Sequence, residues 1–160
     1  MRVLVISAAF PPMRAGEADH TFYLCKHLTN RGLDVHVLTT NRTCVITNLP
    51  FKVYPIMQNW SWIELPRLVR FLKSCSSEAV LLYYIGWVYN DHPMITFAPT
   101  ISRALLGRVP FVTQFANAEG SNPCSFSTRF LRKIVESWAG AEEVDYSFGT
   151  LLRDSDRIIV

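Results

Sequence analysis

No apolar run in this chain is long enough to cross a bilayer: the longest, residues 79–89, falls well short of the roughly 20 residues that a spanning helix needs. The four cysteines, Cys25, Cys44, Cys75 and Cys124, form no CxxC pair and have no short Cys/His spacing, which excludes the usual zinc-binding patterns and leaves reduced, structural thiols as the reading. Charge of one sign is not gathered into blocks. Sixteen Lys and Arg residues and thirteen Asp and Glu residues are scattered to a net charge of +3, too mild a balance to argue for nucleic acid as a partner. No GxGxxG follows the first apolar segment, and the loop there carries two prolines, which have no N–H to donate. A nicotinamide enzyme is therefore disfavoured, and the absence of a P-loop removes the usual route to an ATPase. The start lacks the charged region and small-residue cleavage site of a signal peptide, running instead into Pro11-Pro12, so the expected location is cytoplasmic, peripheral to a membrane at most. The triplets Asn41-Arg42-Thr43 and Asn59-Trp60-Ser61 match the glycosylation pattern, but such triplets arise easily by chance and carry no weight here.

What is present is globular. With 160 residues, 49% hydrophobic and 12% aromatic, the chain supports one domain with a sizeable core. The first forty residues are the most informative. An apolar run, Arg2-Val3-Leu4-Val5-Ile6, leads into the turn Phe10-Pro11-Pro12-Met13-Arg14-Ala15-Gly16-Glu17. A helix with Leu24, Cys25 and Leu28 on one face follows and ends at Arg31-Gly32, and a second apolar strand covers residues 34–40. The hydrophobic period passes from continuous to helical and back, which is how a buried parallel βαβ crossover reads.

Downstream, residues 51–56 alternate and end near Pro55, so they read as a shorter strand towards one edge of the sheet. Residues 64–75 place Leu65, Leu68, Val69 and Leu72 on one helical stripe and Arg67, Arg70 and Lys73 opposite. A fourth strand is expected over 79–87. After the polar knot Tyr89-Asn90-Asp91-His92 comes a helical segment that stops at Gly107 and that Pro99 should kink or divide. Residues 109–115 read as the fifth strand, 116–123 as a loop, 130–138 and 144–152 as helices, and 157–160 as the start of a sixth buried strand. A natural domain seldom stops inside a strand, so the expectation is either a fragment or a natural half that needs a partner. The fold class is α/β: a doubly wound, mostly parallel sheet with helices on both faces.

In open parallel sheets, ligands bind in the crevice beyond the carboxyl ends of the strands, here the loops 8–17, 39–44, 87–93 and 114–121. Gly16 precedes a helix whose free N–H groups and positive dipole end favour a phosphate or carboxylate; a plain helix entry explains the glycine as well. Met1 to Ser7, Pro11-Pro12, Ala15-Gly16, His20, Leu24, Leu28, Arg31-Gly32, residues 34–39, residues 108–113 and residues 154–160 together resemble the amino-terminal domain of family 4 glycosyltransferases, which have the two-domain GT-B fold. The resemblance covers essentially the whole chain.

It implies a Rossmann-like acceptor-binding half over residues 1–160. A carboxyl-terminal donor-binding domain or partner chain would hold a nucleotide-diphosphate-sugar as co-substrate, and the sugar would pass, usually with retention, to a sugar or lipid-linked acceptor; no metal is implied. The family's Gly-Gly pair stands here as Ala15-Gly16, and the histidine often found after the fifth strand stands as Ala116. The family's paired glutamates, with seven residues between them in the second domain, have no counterpart in this chain.

His20, one turn into the first helix, is a candidate catalytic residue that would orient an acceptor hydroxyl; a solvent-exposed helix residue is the plainer account. Glu119 is the second catalytic candidate, as a base. Gly16, Glu17, Asp91 and Asn117 are candidates for donor-phosphate or acceptor binding, with Gly16 nearest the phosphates. A helix cap before Pro93 explains Asp91-His92 nearly as well, and turn formation explains Asn117. His27 and His36 read as helix-surface and strand residues. Trp60-Ser61-Trp62-Ile63, followed by the cationic stripe of Arg67, Arg70 and Lys73, suits peripheral membrane contact through residues 60–75, and a sheet-packing helix with a solvated outer face accounts for the same pattern. A non-catalytic Rossmann-like binding or interaction module, or one subunit of a split transferase, is the alternative reading of the whole chain.

Overall fold

The computed structural model describes residues 1–41, 48–116 and 149–160. Within these, six strands form one sheet: β1 (Arg2–Ile6), β2 (Asp34–Thr40), β3 (Lys52–Met57), β4 (Ala79–Tyr84), β5 (Phe111–Phe115) and β6 (Arg157–Ile159). Their order is β3-β2-β1-β4-β5-β6 and every neighbouring pair is parallel. This is a Rossmann-like α/β sheet.

The continuous apolar character of β1 follows from burial on both faces. Val3 and Val5 pack with Val35, Val37, Phe10 and Cys25 under helix α1 (Gly16–Asn30), with Phe22 and Leu28 closing that side. Leu4 and Ile6 turn the other way, onto Leu68 and Leu72 of α2 (Leu65–Cys75) and Ala98 of α3 (Ala98–Leu106), where Leu151 of the short helix α4 (Leu151–Asp154) joins them. A parallel sheet with helices on both faces leaves no polar side for its central strands.

The ends of α1 are legible in its sequence. Arg31 caps it, Gly32 takes φ +84°, the Gly32 N–H donates to the Thr29 carbonyl at 2.9 Å, and the Leu33 N–H donates to the Leu28 carbonyl at 3.2 Å. These are the two bonds of a Schellman motif, and Leu28 and Leu33 supply its apolar contact against the same core. The left-handed position requires glycine.

Three expectations are corrected. The fourth strand ends at Tyr84 rather than at 87, because Gly86–Tyr89 winds into a 3-10 turn whose Tyr89 is wholly buried and donates its hydroxyl to the Tyr83 carbonyl at 2.8 Å. Pro99 neither kinks nor divides a helix: it lies in the first turn of α3, where its missing N–H leaves no intrahelical bond unmade, and a separate 3-10 segment, Pro93–Phe97, precedes it. The sixth strand is exposed along its length rather than buried, because it occupies the outer edge of the described sheet beyond β5. It is tied there by the Asp156 carboxylate, which accepts the Phe111 N–H at 2.7 Å, and by a 2.7 Å bond between the Thr113 and Ser155 hydroxyls. The helices expected over 130–138 and 144–148, and Cys44 and Cys124, lie outside the described residues.

Candidate functional site

β1 and β4 lie side by side, yet the chain leaves β1 towards β2 and β4 towards β5. Such a switch in direction opens a crevice beyond the carboxyl ends of these two strands. The loop that follows β1 forms one wall. The Ser7 N–H donates to the Leu38 carbonyl at 3.1 Å, the Ser7 hydroxyl donates to the Ala9 carbonyl at 2.8 Å, and Thr40 donates to the Ala8 carbonyl at 3.0 Å. Thr21 lies 3.1 Å from the Ser7 hydroxyl and donates its own to the Glu17 carbonyl, so the first turns of α1 are braced against the loop.

Ala15 holds the N-cap position of α1 in an extended conformation, and no side chain caps the helix; Glu17 and Asp19 place negative charge in its first turn. Gly16 is exposed, and a Cβ added there would meet nothing within 4 Å, so packing does not dictate this glycine.

One turn on, His20 reaches over the sheet. Its ring stacks on Tyr83 with centroids 4.9 Å apart and planes inclined by 24°, and its Nε2 lies 3.2 Å from Nε2 of Gln114. Tyr83 and Gln114 are register partners on β4 and β5, which sets them side by side on the α1 face at the carboxyl ends of those strands. Burial pushes the Tyr83 hydroxyl above its ordinary pKa, and the charge of Glu17 pushes it further. Glu17, His20, Tyr83 and Gln114 therefore form one group, drawn from α1, β4 and β5. Glu17 and His20 are legible in the sequence. Tyr83 and Gln114 are not, although a tyrosine closing an aliphatic strand and a lone amide near the end of β5 are the traces they leave.

Asp91 takes a left-handed backbone (φ 52°) with its N–H bonded to the Gly86 carbonyl at 3.0 Å, and its side chain is exposed. Among the described residues no hydrogen bond joins it to the His20 group. His92 is the N-cap of the 3-10 segment at Pro93, its Nδ1 accepting the Met94 N–H at 3.2 Å, and burial pushes its imidazole below the ordinary range. Asn117 and Glu119 lie outside the described residues, which end on this side at Ala116.

The rim beyond β3 is set by a carboxylate. Glu64 is buried and accepts the N–H groups of Gln58, Asn59 and Trp60 at 2.8 to 3.0 Å, while Arg67 pairs with its other side. Trp60 is buried beneath it, edge-on to Tyr89, and donates its indole N–H to Thr40 at 2.8 Å. Trp62 and Ile63 are exposed, Trp62 lying edge-on to His92. Among the described residues, no helix is long and apolar enough to cross a membrane and no group of three or more His, Cys, Asp or Glu is placed to hold a metal ion.

A second polar cluster sits towards the amino ends of the strands. His36, almost wholly buried, lies 3.2 Å from Asp34 through Nε2, 3.1 Å from the Tyr54 hydroxyl through Nδ1 and 3.8 Å from Cys75 Sγ, and Arg2 donates to Asp34 at 2.8 Å. The sequence Cys75, His36, Asp34 has the order of a nucleophile, a base and its orienter, but burial pushes the thiol up, away from the thiolate that such chemistry needs. The cluster reads as structural.

No family model, curated protein or solved structure matches the chain. The argument for function therefore rests on this group of side chains and on the residues of the first crossover.

Proposed function

We propose that the chain is the acceptor-side half of a retaining glycosyltransferase, taking a sugar from a nucleotide-diphosphate-sugar to a sugar or lipid-linked acceptor in company with a donor-binding domain or partner chain. The observation that carries this reading is the convergence of Glu17, His20, Tyr83 and Gln114 at the switch point of a parallel sheet, directly behind the loop whose residues resemble the family. An oxygen-rich substrate suits that group, since an imidazole and an amide exchange hydrogen bonds with hydroxyls and a carboxylate accepts them. In this reading the uncapped amino end of α1 at Gly16 lies nearest the donor phosphates, Asp91 flanks the acceptor, and Asn117 and Glu119 complete the rim.

The transfer breaks the bond between the anomeric carbon and the diphosphate oxygen and forms one to an acceptor hydroxyl oxygen, whose proton must leave. The test is a nucleotide-sugar hydrolysis and transfer screen on the full-length product, with His20→Ala and Glu119→Ala as controls. Turnover of one donor, reduced in both variants, is expected; no turnover of any donor with any acceptor would sink the reading.

Peripheral membrane contact is part of the same proposal and is supported by exposed Trp62 and Ile63 above exposed Arg70 and Lys73. Trp60 takes no part, being buried, and Arg67 is already engaged by Glu64. Sedimentation with anionic vesicles should exceed that with neutral ones, and equal, negligible binding to both would remove this element.

A further inference from the structure

An amide nitrogen only donates hydrogen bonds, so the 3.2 Å approach of Gln114 Nε2 to His20 Nε2 makes the ring nitrogen the acceptor. A neutral imidazole carries one proton, and with Nε2 accepting, that proton is on Nδ1. The ring is also fixed from beneath. It stacks on Tyr83, which is buried, and the Tyr83 carbonyl is held by the hydroxyl of Tyr89, itself wholly buried against Trp60 and Tyr84. Because Tyr83 and Gln114 are register neighbours, the stacking surface and the hydrogen-bond donor are a rigid pair, set by the β4–β5 ladder rather than by a loop. His20 spans both.

We infer that Gln114 and Tyr83 are positioning residues that hold His20 in its Nδ1–H tautomer, so that His20 serves the site as a hydrogen-bond donor to a ligand oxygen and not as its base. A general base needs a free lone pair within reach of the proton it removes, and the only lone pair of this ring is taken by Gln114. The chemical class that fits such a donor is an acceptor oxygen, whether of a sugar hydroxyl or of a phosphate. The identity of that ligand rests on the glycosyltransferase reading; the tautomer does not.

The experiment separates the two. Long-range ¹H–¹⁵N spectra of the ¹⁵N-labelled chain, recorded without substrate under conditions in which the His20 ring is neutral, distinguish a protonated ring nitrogen from one bearing a lone pair. Expected is a proton on Nδ1 and a lone pair on Nε2 in the native protein. Gln114→Glu, whose carboxylate can only accept, should move the proton to Nε2, while Tyr83→Phe, which keeps the stacking surface, should leave it on Nδ1. A native spectrum with the proton on Nε2 overturns the inference, as does a Gln114→Glu spectrum identical to the native one. Failure of every donor in the transfer screen would remove the transferase while leaving the tautomer standing.

Discussion

Trp60 holds a left-handed backbone, φ 55°, while its N–H donates at 2.8 Å to the buried carboxylate of Glu64. A bulky side chain rarely adopts that conformation, which costs on the order of 1–3 kcal/mol unless its surroundings impose it. Glu64 imposes it by gathering the N–H groups of Gln58, Asn59 and Trp60 on one carboxylate. The indole is thereby driven under the rim, against Tyr89 and the loop after β1.

Replacing Glu64 with alanine strands those donors and releases the strained turn. With each unsatisfied buried group costing about 1–3 kcal/mol, the loss should be about 2 kcal/mol or more. Urea unfolding followed by tryptophan fluorescence measures it, and Glu64→Gln, which keeps an acceptor oxygen, should lie between the two. A Glu64→Ala midpoint equal to the native one would contradict the anchoring role.

Gly149 meets a different limit. Its φ is +47°, and a Cβ there would come within 2.2 Å of the Thr96 hydroxyl oxygen and 2.8 Å of Thr96 Cβ. Thr96 has little freedom to give way: its hydroxyl donates to the Pro93 carbonyl at 2.7 Å, and its carbonyl accepts from both the N–H and the hydroxyl of Thr150. Gly149→Ala combines a left-handed penalty with overpacking, and about 2–4 kcal/mol of destabilisation is expected in the same denaturation assay.

The parallel crossover, the edge position of β3 and the Gly32 terminus of α1 were legible in the sequence because each depends on a local signal: period, a proline near a strand end, a glycine after a helix. The site was legible only where it is local. Gly16, Glu17 and His20 follow a recognisable turn, but Tyr83 and Gln114 join His20 through strand order and register, which hydrophobic patterning does not specify. Trp60 and Trp62 look alike in sequence and part company in the fold, because a carboxylate four residues from Trp60 turns the chain between them. The exposure of β6 was equally hidden, since an apolar tripeptide reads the same at the edge of a sheet as at its centre.

His36 gives a pH dependence with a definite sign. Burial pushes its imidazole below the ordinary value of about 6.5 even though Asp34 opposes the shift, and Arg2 and Lys52 add to it; Tyr54 and Cys75 face the ring as well. The unfolded chain therefore binds a proton at a higher pH than the folded one, so the contribution is fully present above about pH 6.5 and is lost as pH falls towards the lowered folded value. His92, also pushed down by burial, acts in the same direction. Asp34 adds a separate loss in stronger acid, because its hydrogen bond from Arg2 holds its carboxyl below the usual carboxylate range. The urea midpoint should decline from pH 7 to pH 5, and less steeply in His36→Gln; parallel slopes in the two proteins would show that His36 is not a source of it.

Cys25 provides a probe of opening. Its side chain is wholly buried between α1 and the sheet beside Val3, Val5 and Val37, and that burial pushes the thiol up to about 12. An unfolded thiol ionises near 8.5, so at pH 8 the folded protein holds a far smaller fraction of the reactive thiolate, and it shields that fraction from solvent. Iodoacetamide should therefore reach Cys25 only through unfolding of the α1 layer. Peptide mapping by mass spectrometry should find it unlabelled long after an unfolded control is complete, with a labelling rate that rises with urea in step with the unfolded population. Cys25→Ser sharpens the test by placing a hydroxyl in the same apolar layer, where about 1–3 kcal/mol is the expected cost. Labelling of native Cys25 at the rate of a free thiol, or a serine variant as stable as the parent, would mean that α1 does not seal this face of the sheet.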